Sequence, residues 1–300
     1  MAEKGFIVTK PIRIGNQTAI SCADPLEPFH FALLHRFDAF EWFADKRENA
    51  DGSVAGWDET DMDADARAWI RQTGAAHNML FTVHAPWQAN PLHADGVPLL
   101  IRSIAFARDI GADLVNLHLY MDDGPQGYAQ ALGPVLRQAA ASGLRVSIEN
   151  TPHTTPDDFN DTFACLAELD DLPAGTTGMC LDIGHANLCA ATPNNFIRYL
   201  DALSPAVPII HLHAHENHGD RDSHLTLFTG PAREDDSGIR ALVERLHRRR
   251  YRGAVILEQW PHPPELLVEA AMRLRTLLDA RPSTALDRLK TDEVSPHRSL

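Results

Sequence analysis

The chain has 300 residues, 44% apolar and 23% charged, with 16 histidines against 4 cysteines. That length and apolar share can bury a substantial core, which excludes a disordered chain and a small stapled domain. The 27 basic and 41 acidic residues leave a formal net charge of −14, so the composition carries no broad footprint for nucleic acid or an anionic membrane.

Cys22, Cys165, Cys180 and Cys189 form no CxxC pair. Neither a disulfide framework nor a thiolate zinc site is expected, and a reducing cytoplasm is the simplest compartment. The first residues lack the apolar core of a secretory signal. No run approaches the roughly 20 apolar residues that cross a bilayer, so a soluble, cytoplasmic protein is expected.

In chain order, Pro11–Ser21 and Phe37–Phe43 read as strands, and Asp61–Thr73 as the helix after the second. From Met79 onward short apolar runs alternate with longer amphipathic ones. Strands are expected at Met79–Pro86, Ala112–Tyr120, Leu144–Asn150, Thr177–His185, Val207–His215 and Gly253–Trp260. Their near-continuous apolar character suits strands covered on both faces. Between them, helices are expected at Leu99–Ile110, stopped by Gly111, and at Tyr128–Ala141, ending before Gly143. Pro156–Asp158 marks a helix start before Phe159, and Thr192-Pro193 reads as a cap ahead of Phe196. Asp236–Arg250 and Pro264–Leu278 complete the set.

Serial βα units need parallel strands with crossovers, and eight strands favour a closed (β/α)8 TIM barrel over an open doubly wound sheet. No GxGxxG or GxxxxGK[ST] follows a strand, which removes the main support for nucleotide binding. The α/β barrel is expected to be a single domain over residues 1–280. The polar segment 281–300 reads as a disordered or loosely docked tail.

Ionisable residues recur at one end of these strands: His84, His118, Glu149, Asp182 with His185, His213 and Glu258. A lone strand-end histidine is commonly structural. The same placement on six consecutive strands is not explained by solvation, and the C-terminal face of such a barrel is where catalytic groups converge. Carboxylates with imidazoles suit one to three divalent ions, zinc or manganese first, with cobalt or iron compatible and magnesium less so. The segment after the seventh strand adds Asp222 and His224, two residues apart, with His218 and Asp220 as further candidates. His213 lies nearer the C-terminal edge than His211, so His213 is taken as ligand and His211 as barrel interior; His215 and Glu216 are taken as loop or outer groups. Trp42, Trp87 and Trp260 at or beyond strand ends are placed to stack on the ring of a ligand. Asn150, Asn187 and Asn217, together with Arg221 in the metal loop, suit hydroxyl or phosphate recognition. The basic run Arg245–Arg252 precedes the eighth strand and reads as a solvated surface.

These residues resemble the xylose isomerase-like TIM-barrel superfamily, the group of sugar isomerases and epimerases and endonuclease IV-type apurinic endonucleases. The resemblance runs from about Ile12 to Leu278. It is carried by VHAPW at Val83–Trp87, IENT at Ile148–Thr151, LDIGHAN at Leu181–Asn187, HAHEN at His213–Asn217 followed by DSH at Asp222–His224, and LEQW at Leu257–Trp260. It implies a small carbohydrate substrate and one divalent ion on Glu149, Asp182, His213 and Glu258. Glu149 and Glu258 would take and return a proton at the carbon next to a carbonyl, with His185 touching substrate. The endonuclease group's trizinc set would recruit His84, His118, His185, Asp222 and His224 as well, and all nine positions are filled. The fourth-strand loop HLYMDDGP and the stretches Asp58–Asp65 and Glu234–Asp236 place acidic groups where a phosphate backbone would approach. LDIGHAN matches the isomerase form, and LFTG before Pro231 departs from the glycine-rich ending of many members. The expectation is therefore a metal-dependent sugar or sugar-phosphate isomerase or epimerase, with a metal-dependent phosphodiesterase as the alternative.

Overall fold

The computed structural model describes residues 12–19, 22, 24–170 and 172–280. Pro11, the last residues of the first expected strand and the segment 281–300 lie outside the described residues. Eight parallel strands close into one barrel: β1 (Arg13–Gln17), β2 (Ala39–Phe43), β3 (Leu80–His84), β4 (Leu114–His118), β5 (Arg145–Glu149), β6 (Thr177–Asp182), β7 (Ile209–Ala214) and β8 (Ala254–Leu257). β1 pairs with both β2 and β8, which closes the cylinder. A two-stranded hairpin at Arg47–Glu48 and Val54–Ala55 sits outside it. No helix among the described residues is long and apolar enough to cross a membrane.

The helices are α1 (Glu27–Leu34), α2 (Ala64–Ala76), α3 (Gly96–Ile110), α4 (Gly124–Ala141), α5 (Pro156–Ala167), α6 (Ile183–Leu188), α7 (Phe196–Ala202), α8 (Ser237–Arg248) and α9 (Glu265–Asp279). Their ends follow local chemistry. Asp63 caps α2 by accepting from Ala66 N, and Thr155 and Asp158 form a reciprocal capping box on α5 with Pro156 in the first turn. Gly111 ends α3 at φ 74°, where a side chain would be strained. Two expectations are corrected. α7 is capped by Asn195, which accepts from Arg198 N, so Thr192-Pro193 belongs to the preceding turn. His185 lies in α6, because Asp182 ends β6 and caps that helix through a 2.7 Å bond from His185 N.

Strand alternation separates two layers. On β2, Phe40 and Trp42 face the helices, where Trp42 packs on Phe29 at 5.1 Å, Phe40 at 4.8 Å and Trp57 at 6.0 Å between ring centroids. The intervening Glu41 faces the barrel interior and bonds to His211 on β7, a non-neighbouring strand reachable only across the lumen. Ala39, Ala254 and Ile256 form a small apolar cluster with Leu80. The strand ladders then bring the polar ends to a common level: Phe43 opposite His84, His118 opposite Glu149, and Asp182 opposite His213.

Candidate metal centre

Each ionisable residue expected at the centre is carried there by the element that holds it. His84, His118, Glu149 and Asp182 end β3, β4, β5 and β6, and Glu258 directly follows β8. Asp222 and His224 are returned by the segment after β7, which is closed on itself by paired backbone bonds between Glu216 and Leu225, both 2.8 Å. The buried Glu216 carboxylate anchors that loop by accepting from Gly230 N at 3.2 Å and Ala232 N at 2.6 Å. His224 is held at φ 44°, a left-handed conformation that a non-glycine residue adopts at a cost and that clusters at functional sites.

Among the described residues, five overlapping groups bring donor atoms within 4.8 Å of one another: His84, Glu149, His213 and Glu258; Glu149, Asp182 and His185; Asp182, His215 and Glu258; His185, His215, Asp222 and His224; and Cys180, His211 and His213. His215, taken from sequence as a loop or outer group, is thereby within the centre. Its Nε2 lies 3.1 Å from Asp182 Oδ2 and 3.8 Å from both Asp222 and Glu258. Its ring stacks on His224 at 4.0 Å. Gly184 makes the space: a Cβ there would fall 1.9 Å from His215 Cε1.

The histidines are oriented by what their other nitrogen does. Nδ1 of His84, His185 and His224 donates to the backbone carbonyls of Ala85, Asn150 and Glu258 at 2.6, 2.8 and 2.8 Å. Their Nε2 atoms then face carboxylates: His84 to Glu149 at 3.1 Å, His185 and His224 to Asp222 at 3.2 and 2.9 Å. In a neutral ring such an Nε2 carries a lone pair, and a lone pair against a carboxylate oxygen is repulsive unless a proton or a cation lies between them. Glu149 Oε1, Glu258 Oε2, both nitrogens of His213 and Nδ1 of His215 are buried without a hydrogen-bond partner. Buried polar atoms are rarely left so. Nitrogen and oxygen donors with orphaned atoms, fixed by outer partners, fit a divalent ion.

Charge follows the same geometry. Burial would raise the Glu149 carboxyl, but His213 and His118 outweigh it and hold it well below the usual range. Burial alone acts against a charged His185, yet Asp182, Asp222 and Glu149 push its pKa well up. His118 goes the other way, pushed down to about 4 by burial, which leaves its ring neutral.

The residues expected to bind substrate are distributed unevenly. Trp42 is a correction: it is fully buried in the aromatic layer between barrel and helices, with no exposed ring face to stack on a ligand. Asn150 is also fully buried. Its amide is spent pinning β6, donating to Asp182 O at 2.9 Å and accepting from Asp182 N at 2.8 Å. Trp260 is half-buried and meets Phe31 edge-on at 5.3 Å. Trp87 is 51% exposed at a rim shared with Lys46, Arg47, Glu48 and Gln88. Arg221 is exposed in the loop that carries Asp222. Asn187 donates to Asn217 Oδ1 at 2.9 Å; both line a cavity of about 230 Å³ with His215, Phe196 and Ile239. In the basic run, Arg245 pairs with Asp201 and Arg249 reaches the Leu203 carbonyl at 3.2 Å.

The sequence reading passed over Glu41. It is fully buried, and its carboxylate accepts from Thr82 Oγ1 and His211 Nε2 and meets His213 Nε2, each at 2.8 Å. A glutamate flanked by Phe40 and Trp42 in an apolar strand was the available signal.

A family model described as a xylose isomerase-like TIM barrel matches residues 30–277. The chain belongs to the xylose isomerase-like TIM barrel family. The uncharacterized protein MJ1311 of Methanocaldococcus jannaschii is 29% identical over 133 residues, 42% of this chain and 41% of that protein, so the match spans less than half of that relative. L-ribulose 3-epimerase superposes with a TM-score of 0.66 at 17% identity, over 96% of this chain and 100% of its own. The TTHB071 protein from Thermus thermophilus, in a structure soaked with ZnCl2, gives 0.62 at 20% identity over 90% and 100%. At such identities the structural likeness establishes the fold alone.

Proposed function

We propose that the chain is a divalent-metal-dependent isomerase or epimerase of a sugar or sugar phosphate. One observation carries this reading: Glu149 and Glu258, from strands three steps apart round the barrel, converge on one point, each with a buried carboxylate oxygen that no protein donor satisfies. His84 and His213 share the point where the two glutamates meet, and Asp182 with His215 forms an adjoining group on Glu258; from these the ion would draw its ligands. Zinc and manganese suit the donor set. A divalent ion there would supply Lewis-acid stabilisation of the negative charge that proton removal leaves on a substrate carbonyl. Glu258 would have its other oxygen to accept a proton from one face of the adjacent carbon, while Glu149 Oε2, which already accepts from Asn116 Nδ2, would exchange that bond to serve the opposite face. Burial excludes bulk water from both carboxylates. The epimerase structure named above supports the reading by its fold, and Arg221 and Trp87 stand at the open side as substrate contacts. The test is exchange of solvent deuterium into a panel of ketoses, aldoses and inositol-derived ketones by metal-loaded protein. Exchange abolished by Glu258→Gln is expected; no exchange into any of them defeats the proposal.

A second reading has an observation of its own. His185, His215, Asp222 and His224 form a separate donor group beside the first. His84 and His118 flank Glu149 at 3.1 and 3.7 Å. Two or three ions held there would suit phosphodiester hydrolysis, in which neighbouring ions activate water and stabilise the leaving oxygen. Cleavage of an abasic-site duplex that disappears in both His118→Ala and His224→Ala would favour this reading over the first.

A further inference from the structure

Below the carboxylates and histidines of the metal face, the barrel lumen holds a polar layer instead of the branched apolar side chains that usually fill it. Glu41, Thr82, Asn116, Ser147, Cys180 and His211 are all buried there. Two chains of contacts rise from it. Ser147 donates to Asn116 Oδ1 at 2.6 Å, and Asn116 donates to Glu149 Oε2. Thr82 and His211 each bond to Glu41 Oε2 at 2.8 Å, and the other oxygen of Glu41 lies 2.8 Å from His213 Nε2. Above, His213 Nδ1 stands 3.2 Å from Glu149 and 3.3 Å from Glu258. Where His84, His185 and His224 are each pinned by a backbone carbonyl, the group that faces His213 Nε2 is a carboxylate.

We infer that Glu41 is a positioning residue of the metal centre, holding the His213 ring from beneath so that Nδ1 presents its lone pair to the point where Glu149 and Glu258 converge. The inference rests on the metal-centre reading above. His213 Nε2 and Glu41 Oε1 face each other at 2.8 Å without the alignment of a hydrogen bond; brought into line when an ion takes Nδ1, a carboxylate would be the stronger acceptor for an Nε2–H, would fix that tautomer, and would make the opposite nitrogen more basic toward the ion. Thr82 and His211 fix the carboxylate in turn, so the ring cannot turn over without breaking contacts in a fully buried layer.

The first readout is Zn2+ affinity of the metal-stripped full-length chain. Glu41→Gln is expected to weaken binding about 10- to 100-fold, the range for outer-shell partners of metal ligands. Thr82→Val, which removes one of the two bonds to Glu41 Oε2 but leaves Glu41 facing His213, is expected to weaken binding less than Glu41→Gln does. The second readout needs no substitution at Glu41: nitrogen-15 spectra of the His213 ring, assigned by its loss in His213→Gln, should show Nε2–H with Nδ1 shifting when Zn2+ is added. Unchanged affinity in a folded Glu41→Gln protein, or an Nδ1–H ring in the Zn2+-loaded chain, overturns the inference alone. A chain that takes up no Zn2+, or one whose uptake survives Glu149→Ala, removes the metal-centre reading and this inference together. Zn2+ lost in Cys180→Ala but retained in Glu149→Ala would place the ion in the lower group of Cys180, His211 and His213, also against it.

Discussion

The two halves of the metal face contain the same residue types in opposite surroundings. Around β5 to β8, the side chains of Glu149, Asp182, His213 and His215 are 0% exposed, and Glu258 is 6% exposed. On the loop after β7, Asp222 and His224 are 33% and 35% exposed. Ions and carboxylates in the dry half interact in a low-dielectric setting, where an uncompensated charge is expensive and a bound cation correspondingly tight. In the wet half, solvent reaches Asp222 and His224, which also pair with each other at 2.9 Å. On the proposed metal-centre reading, the dry half is therefore where an ion would be held most tightly, and the wet half where one would be gained or lost at smaller cost. That difference gives a graded set of outcomes.

The largest effect is expected at Glu149, which belongs to two of the donor groups and is contacted by His84, His118, His185 and His213. Glu149→Ala should abolish tight metal uptake measured by elemental analysis on protein purified without chelator, and with it any deuterium exchange. Retention of all bound metal would erase the distinction between the halves. Next comes a residue of the dry core outside the site. Trp42→Ala should cost about 3–5 kcal/mol of folding stability, the range for deleting a large buried aromatic, read by denaturant unfolding. The metal content of the remaining folded protein should be unchanged. A loss of substrate affinity without that destabilisation would restore Trp42 to the ligand side.

His224→Ala is a smaller, selective change. It should remove at most one equivalent of metal and leave the inner ion in place, because His224 shares its group with Asp222, His185 and His215 but not with Glu149. One equivalent in the unsubstituted chain, indifferent to His224→Ala, fits the isomerase reading. Nearly three, falling by one, fits the hydrolase.

How much of this could be read from the sequence depends on which physical signal each residue leaves. The barrel was legible because strand and helix periods alternate along the chain and Gly111 and Gly143 punctuate helix ends. The strand-end cluster of ionisable groups was legible because a charged residue closing an apolar run is a local pattern. His215 was harder, since HLHAH offers three imidazoles at the same spacing and only the ring's closeness to Asp182 and the room left by Gly184 show that it too reaches the centre. Glu41 escapes notice and Trp42 is misplaced for one reason: adjacent residues on one strand face opposite layers, and which face is the lumen is settled by the barrel's closure rather than by the segment itself. Asn150 illustrates the same limit, for no pattern in IENT shows that its amide is consumed by Asp182.

The smallest predicted effect tests the wet rim. Trp87 is 51% exposed, and its recorded polar link is the backbone carbonyl that accepts from the Tyr120 hydroxyl, a contact that survives loss of the indole. Trp87→Ala should therefore change folding stability by no more than about 0.5 kcal/mol, as for surface substitutions generally, and leave metal content intact. If a sugar ring stacks there, KM for the substrate that shows exchange should rise while kcat holds, because a rim contact made equally in ground and transition states affects binding alone. A fall in kcat with unchanged KM would mean that the indole acts on the reacting carbon, and the open side of the centre would have to be drawn closer to Glu149 and Glu258 than the exposed position of Trp87 allows.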